Sequence, residues 1–211
     1  GTLPRSNKTV IEYAMKLGLA CKSEITRFNR YDRKNYFYPD LPKGYQLTQD
    51  QTPICVGGYI PITTKSGLKK NIEITRIHME EDSGKSMHLE GEEDTLVDLN
   101  RAGVPLLEIV TEPCVYSAEE AAAFLGEVRK LVRYLEVCDG NMEEGSMRCD
   151  ANISVRLKTT EELGKRVEVK NMNSISNVQR AIEYEIERQI VEVEAGNSIV
   201  TETRLFDSVK G

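Results

Sequence analysis

The chain has no tryptophan, two histidines, and five cysteines, none of them in a CxxC pair. The cysteines Cys21, Cys55, Cys114, Cys138 and Cys149 are odd in number and widely spaced, so neither a zinc ribbon nor a disulfide framework is expected. They read as small buried hydrophobes in a reducing cytosol or organelle matrix. His78 and His88 form no HExxH and no metal triad with the cysteines, and their spacing does not support histidine catalysis. No GxSxG, no GxGxxG after a strand and no Ser-His-Asp order is present, which argues against a nucleophilic hydrolase or a dinucleotide enzyme. No apolar run approaches the ~20 residues of a membrane span, and no basic, apolar leader opens the chain. A basic excess is missing too: 28 Lys and Arg stand against 34 Asp and Glu, for a net charge of -6. That argues against a general nucleic-acid coat protein and does not exclude a local basic groove.

What is present suits a folded domain. The 211 residues are 39% hydrophobic and 29% charged, too apolar for disorder, with no repeat or low-complexity stretch. The opening Gly1-Thr2-Leu3-Pro4, without Met, suggests part of a longer chain. Three helices are predicted. Asn7 caps the first, with Val10, Ala14 and Leu17 on one face and Gly18 as its stop. Ser117 and Glu120 form a capping box before Ala121, Leu125, Val128, Val132 and Leu135. Ser176 and Gln179 form another before Val178, Ile182, Ile186, Ile190 and Val193, with Gly196 as the stop. Strand-like runs cover Ile72 to Met79 and Pro105 to Thr111. The clearest covers Ser146 to Leu157, where Met147, Cys149, Ala151, Ile153, Val155 and Leu157 alternate with polar residues. A turn near Glu161 to Gly164 leads to a second strand with Val167 and Val169 inward. The expected class is α+β, an antiparallel β-sheet backed by helices, with any chemistry on the polar face.

Three constellations carry chemical interest. The window FNRYDRKNYFYPDLPKGY, Phe28 to Tyr45, interleaves six aromatic rings with Arg30, Arg33, Lys34 and Lys43, a composition that can stack on bases and hold phosphates or can simply plug a core edge. Glu80, Glu81 and Asp82 follow a strand, as Mg²⁺ ligands do and as solvated turns also do. Gly84-Lys85-Ser86 ends like a phosphate loop, but Met79 stands where that motif requires Gly. The polar face of the hairpin offers Arg148, Asp150, Asn152, Arg156, Arg166, Glu168 and Lys170. These are able to hold a metal-nucleotide, or to salt-bridge one another on a solvent face.

The words DRKNYFYPD at Asp32, RIHMEED at Arg76, DLNR at Asp98, EGSMRCDAN at Glu144 and KNMNS at Lys170 resemble the B subunit of the aspartyl/glutamyl-tRNA amidotransferases, from Gly1 to about Phe206. The resemblance implies the glutamine synthetase and guanidino-kinase type of fold, with 1–211 as the central part of one catalytic kinase/transamidase domain. A preceding Gly-Leu-Glu-Val-His segment that helps to hold metal, and the following helical and tail domains, are expected to be missing, leaving the active site incomplete. It implies ATP- and Mg²⁺-dependent phosphorylation of the side-chain carboxylate of misacylated Glu-tRNA(Gln) or Asp-tRNA(Asn). Ammonia from the amidase (A) subunit then forms the amide, and a small stabilising (C) subunit makes the enzyme a cytoplasmic or organellar heterotrimer. Lys34 matches an active-site lysine, and Glu81 and Glu168 match Mg²⁺ ligands expected to approach one ion. Arg148 and Asp150, sharing the face of Glu168, are candidates for phosphate and metal on chemical grounds. The rival expectations are a small-molecule carboxylate or guanidino kinase, and a non-enzymatic tRNA-binding scaffold.

Overall fold

The computed structural model describes residues 4–88, 91 and 94–208, so the opening Gly1-Thr2-Leu3 lies outside the described residues. The order of elements is α1 (Lys8–Ala20), β1 (Glu24–Ile25), β2 (Asp32–Asn35), β3 (Tyr45–Thr48), β4 (Cys55–Val56), β5 (Tyr59–Thr63), β6 (Lys69–Glu81), β7 (Lys85–His88), β8 (Thr95–Asp98), β9 (Pro105–Thr111), α2 (Ala118–Tyr134), β10 (Ala151–Ile153), β11 (Val167–Lys170), α3 (Ile175–Glu194) and β12 (Thr203–Leu205). The class is α+β, and the sheets are largely antiparallel as expected. The chain divides into two compact units, 1–59 with 73–113, and 60–72 with 114–211.

In the first unit, β1, β4, the end of β6, and β9 form an antiparallel sheet, and α1 packs on β1, β4 and β9. Its core includes Ala14, Leu17, Cys21, Ile54, Cys55, Ile74, Ile77 and Met79. Asn7 caps α1 as predicted, its side chain accepting from the Thr9 N–H at 2.9 Å. Gly18 does not stop the helix. It is buried inside α1, where an added Cβ would lie 2.4 Å from Cys55 Sγ and 2.8 Å from Ile25 Cδ1. Gly18 is there for close packing, and the helix ends at Ala20 with Cys21 as its C-cap, followed by Lys22 in the left-handed region at φ 58.

In the second unit, α2 and α3 pack on each other, and α3 also covers β10. Ser117 caps α2, accepting from the Glu120 N–H at 3.1 Å. The Glu120 carboxylate does not return to Ser117. It accepts from the Tyr116 N–H at 3.0 Å and from Lys70 at 2.9 Å. The cap of α3 is Ser174 rather than Ser176, accepting from the Asn177 N–H at 3.1 Å. Its inner face carries Val178, Ala181, Ile182, Glu185 and Gln189, whereas Ile190 and Val193 are exposed. The predicted apolar stripe therefore fails in its second half. Glu185 and Gln189 can turn inward because Arg188 bonds both Glu185 oxygens, at 2.7 and 3.0 Å, and Gln189 donates to the Ile153 carbonyl at 3.1 Å.

The long strand expected over Ser146 to Leu157 contracts to β10. Met147, Ala151 and Ile153 keep the inward phase, but Leu157 is exposed and Arg156 bends to the Thr160 carbonyl at 2.9 Å. Asx turns at Asp139 and Asn141 and Gly145 at φ 79 take the preceding backbone out of the ladder. The hairpin itself forms as read, with Ala151 opposite Val169, Asn152 opposite Glu168 and Ile153 opposite Val167. One pairing departs from the antiparallel expectation, because β12 joins β11 in parallel. Among the described residues no helix is long and apolar enough to cross a membrane.

Candidate functional site

The chemistry of the first unit gathers at the end of β6. His78 and Glu80 stand two residues apart, so their side chains share a face. Antiparallel pairing with β9 sets Glu108 directly opposite His78. His78 is 2% exposed, and its Nε2 lies 3.0 Å from Glu80 Oε1 and 3.6 Å from Glu108 Oε2. This nitrogen faces two carboxylates, while the buried Nδ1 has no hydrogen-bond partner. Glu80 also accepts from Thr48 Oγ1 at 2.6 Å and from Gln46 Nε2 at 3.3 Å. Burial pushes the Glu80 carboxyl up, but the bonds from His78 and Thr48 outweigh it and hold it below the usual carboxylate range. Glu108 moves the other way: desolvation raises it, and the nearby Glu80 charge raises it further, although its side chain is half exposed to solvent.

The three consecutive carboxylates have separate tasks. Glu81 is 12% exposed and accepts from the Leu47 N–H at 2.8 Å, and the same oxygen is in an ion pair with the Lys43 ammonium. Asp82 meets Arg101 at 3.4 Å, and Arg101 also donates to the Ser83 and Gly84 carbonyls at 3.1 and 2.8 Å. That third carboxylate helps to shape the turn after β6. Lys34 lies on β2, exposed, with Nζ 5.8 Å from the centre of the Tyr36 ring. Its charge bears on both Glu80 and Glu108. Lys34 is thus brought to the carboxylate cluster through the β2–β3 hairpin, whose register sets Lys34 opposite Gln46 and Arg33 opposite Leu47.

The second unit joins Asp150 to Glu168 through Lys170, whose ammonium lies 2.9 Å from Asp150 Oδ2 and 3.4 Å from Glu168 Oε1. Thr203 Oγ1 donates to Glu168 Oε2 at 3.0 Å. Burial works to lower the Lys170 ammonium, but the bond to Asp150 and the two negative charges lift it above the usual lysine range. Arg148 is exposed, two residues before Asp150 in the turn leading to β10.

The sequence reading missed the cluster of His78, Glu80 and Glu108, whose ligand atoms all lie within 4.8 Å of one another. The His78/Glu80 spacing on a strand was an available signal, whereas the partnership with Glu108 depends on a register between segments 30 residues apart. Lys43, the partner of Glu81, was counted in the aromatic window without a role. The oxygens of Glu80, Glu81 and Glu108 are hard donors that fit Mg²⁺, and His78 adds a nitrogen more typical of transition metals. With the Lys34 charge bearing on Glu80 and Glu108, the cluster of His78, Glu80 and Glu108 is able to hold a metal and an anionic group that accompanies it. All five cysteines are free, and burial pushes the thiols of Cys21 and Cys55 up to about 11 and that of Cys149 up to about 12, which suits packing rather than nucleophilic chemistry.

The GatB/GatE catalytic domain matches residues 1–211. A protein of Alkalilimnicola ehrlichii named as the B subunit of aspartyl/glutamyl-tRNA(Asn/Gln) amidotransferase is 56% identical over 211 residues, covering 100% of this chain and 44% of that protein. Proteins of the same name from Synechococcus sp. (strain JA-2-3B'a(2-13)) and Nitratidesulfovibrio vulgaris (strain DP4) are 54% and 53% identical, over 98% and 100% of this chain. The chain spans less than half the length of these relatives, 43% to 44%. Over its whole length, then, the chain belongs to the GatB/GatE catalytic domain family.

Proposed function

We propose that this chain is the ATP-using catalytic part of an aminoacyl-tRNA amidotransferase, acting on the side-chain carboxylate of misacylated Glu-tRNA(Gln) or Asp-tRNA(Asn). A carboxylate resists ammonia because its leaving oxygen is poor. Transfer of the γ-phosphoryl of ATP to a carboxylate oxygen releases ADP and gives an acyl phosphate. Ammonia then attacks the acyl carbon, inorganic phosphate leaves and a proton is shed, giving the amide. No nucleophilic side chain is needed, in keeping with the missing Ser-His-Asp pattern. The difficulty is bringing together two anions, phosphate and carboxylate. Mg²⁺ would supply charge neutralisation on the phosphates, with Glu81 and Glu168 each a proposed ligand. Lys34 and Lys43 contribute positive charge, and Arg148 and Asp150 are proposed nucleotide contacts.

The observation that carries the reading is the cluster of His78, Glu80 and Glu108 at the end of β6, with the Lys34 charge bearing on its carboxylates and the Glu81–Lys43 ion pair next in the chain, in a chain more than half identical to proteins named as amidotransferase subunits. The proposed partners are the amidase (A) subunit that releases ammonia from glutamine, the small (C) subunit, and the misacylated tRNA, in the cytoplasm or an organelle matrix. The test uses the complete complex. Glu81→Gln and Glu168→Gln should each lower ATP-dependent amidation about a hundredfold or more, and Lys34→Ala should lower it without unfolding the chain. Glutamine hydrolysis by the amidase should persist in substantial part. Unchanged amidation in Glu81→Gln, or ATP hydrolysis driven by free glutamate or aspartate without tRNA, would count against the reading.

A further inference from the structure

The loop from Tyr36 to Gly44 has an order that packing alone does not explain. Phe37 is 90% exposed and Tyr38 65%. A scattered surface Phe is ordinary, but this ring has a prepared seat. Gly44 sits at φ 73, and a Cβ added there would lie 2.9 Å from Phe37 Cε1 and 3.2 Å from Cδ1. The ring therefore rests on bare backbone, at a position that needs glycine for both conformation and space. The loop is stiffened beneath it. Tyr36 N–H bonds the Gly44 carbonyl at 3.1 Å, and Gly44 N–H bonds the Leu41 carbonyl at 3.0 Å. Leu41 is 4% exposed and anchors the turn. Tyr36 also reaches Gln46 at 3.0 Å, and Gln46 donates to the Glu81 backbone carbonyl at 2.6 Å. A rigid loop that keeps a large ring in water loses hydrophobic free energy until something covers the ring.

Phe37, Tyr38, Lys43 and Gly44 line one shallow, largely open depression on this loop. Lys43 links this depression to Glu81, the proposed metal ligand, because its ammonium is paired with that carboxylate. A flat apolar ring and a cation beside a proposed metal ligand complement a flat base with an anionic tail. We propose that Phe37, seated on Gly44, is the platform on which the base of ATP stacks, with Lys43 turning from Glu81 to the phosphates when metal and nucleotide bind. This rests on the ATP-dependent reading above. Stacking tolerates any base, so the platform supplies affinity rather than base choice.

Calorimetric titration of the complete complex with Mg-ATP and Mg-ADP tests it. Phe37→Ala should weaken both about 5- to 100-fold, the range expected for loss of one stacked base. Gly44→Ala, which displaces the ring without removing it, should also weaken both. Phe37→Trp should keep the affinity and, because these 211 residues contain no other Trp, should add an emission over wild type that the nucleotide quenches. Wild-type affinity in Phe37→Ala would overturn the proposal while leaving the ATP-dependent reading intact. A raised KM for misacylated tRNA with unchanged nucleotide affinity would overturn it by assigning the ring to the tRNA end. Failure of the wild type to bind Mg-ATP would overturn the ATP-dependent reading, and this proposal with it.

Discussion

At the scale of single residues, Glu80 and Glu108 face the same imidazole yet are shifted in opposite directions. Glu80 gains hydrogen bonds from His78, Thr48 and Gln46, whereas Glu108 gains mostly a desolvated position and a like charge. Glu80→Gln should therefore destabilise the chain at neutral pH by about 1.5–3 kcal/mol, the worth of hydrogen bonds to a charged group, as read by chemical denaturation. Glu108→Gln should do the reverse. A carboxyl raised on folding makes the native state bind more protons than the unfolded state, so its contribution to stability falls as pH rises. Removing that charge should raise the melting temperature at pH 7, and the gain should vanish near about pH 4. An equal gain at both pH values would show that charge is not the cause.

Single elements carry their own tests, because two features of the sequence took on roles other than the expected ones. Gly18 and Gly126 both lie inside helices, and helix propensity alone would favour Ala at each by ~1 kcal/mol. Nothing lies within 4 Å of a Cβ added at Gly126, whereas one at Gly18 would collide with Cys55 Sγ at 2.4 Å. Gly126→Ala should stabilise the chain by about 0.5–1 kcal/mol, and Gly18→Ala should destabilise it by about 1–3 kcal/mol through overpacking. Thermal unfolding of the two variants compares them directly, and a shared sign would refute the packing role of Gly18. The start of α3 offers a second pair. Ser174→Ala removes a cap and should cost about 1 kcal/mol, while Ser176→Ala, inside the first turn, should cost a few tenths or nothing.

For the whole molecule, each unit holds a carboxylate kept below its ordinary range, the largely buried Glu80 in the first and the buried Glu185 in the second. Burial pushes Glu185 up, and the bonds from Arg188 and Gln189 outweigh it, with Arg204 a further 3.5 Å contact. A carboxyl lowered on folding stabilises the native state above its unfolded value of about 4.3, and that contribution is lost as pH falls through the lower folded value. Stability should therefore drop on acidification through this window. Glu185→Gln, at a side chain 1% exposed, should cost about 3 kcal/mol at pH 7 and much less at about pH 3. Denaturation at the two pH values measures the difference, and an equal cost at both would rule out the ionic account.

The amino-acid order by itself determined whatever repeats over a few neighbouring residues. The α+β class, the three helices, the inward pair Val167 and Val169, and the carboxylate run at Glu80 follow from periodicity, caps and turns, which are local properties of the chain. The family was legible as well, through whole words such as RIHMEED. Tertiary structure alone decided the rest. Whether Gly18 ended a helix or filled a close contact depended on Cys55, 37 residues away. Whether α3 turned Ile190 or Gln189 inward depended on the Ile153 carbonyl waiting in β10. The partnership of His78 with Glu108, of Glu81 with Lys43 and of Phe37 with Gly44 arose from strand register and loop closure. Each of these joins residues across a gap in the chain, and such pairings are fixed by burial and backbone hydrogen bonding between segments, which no local pattern encodes.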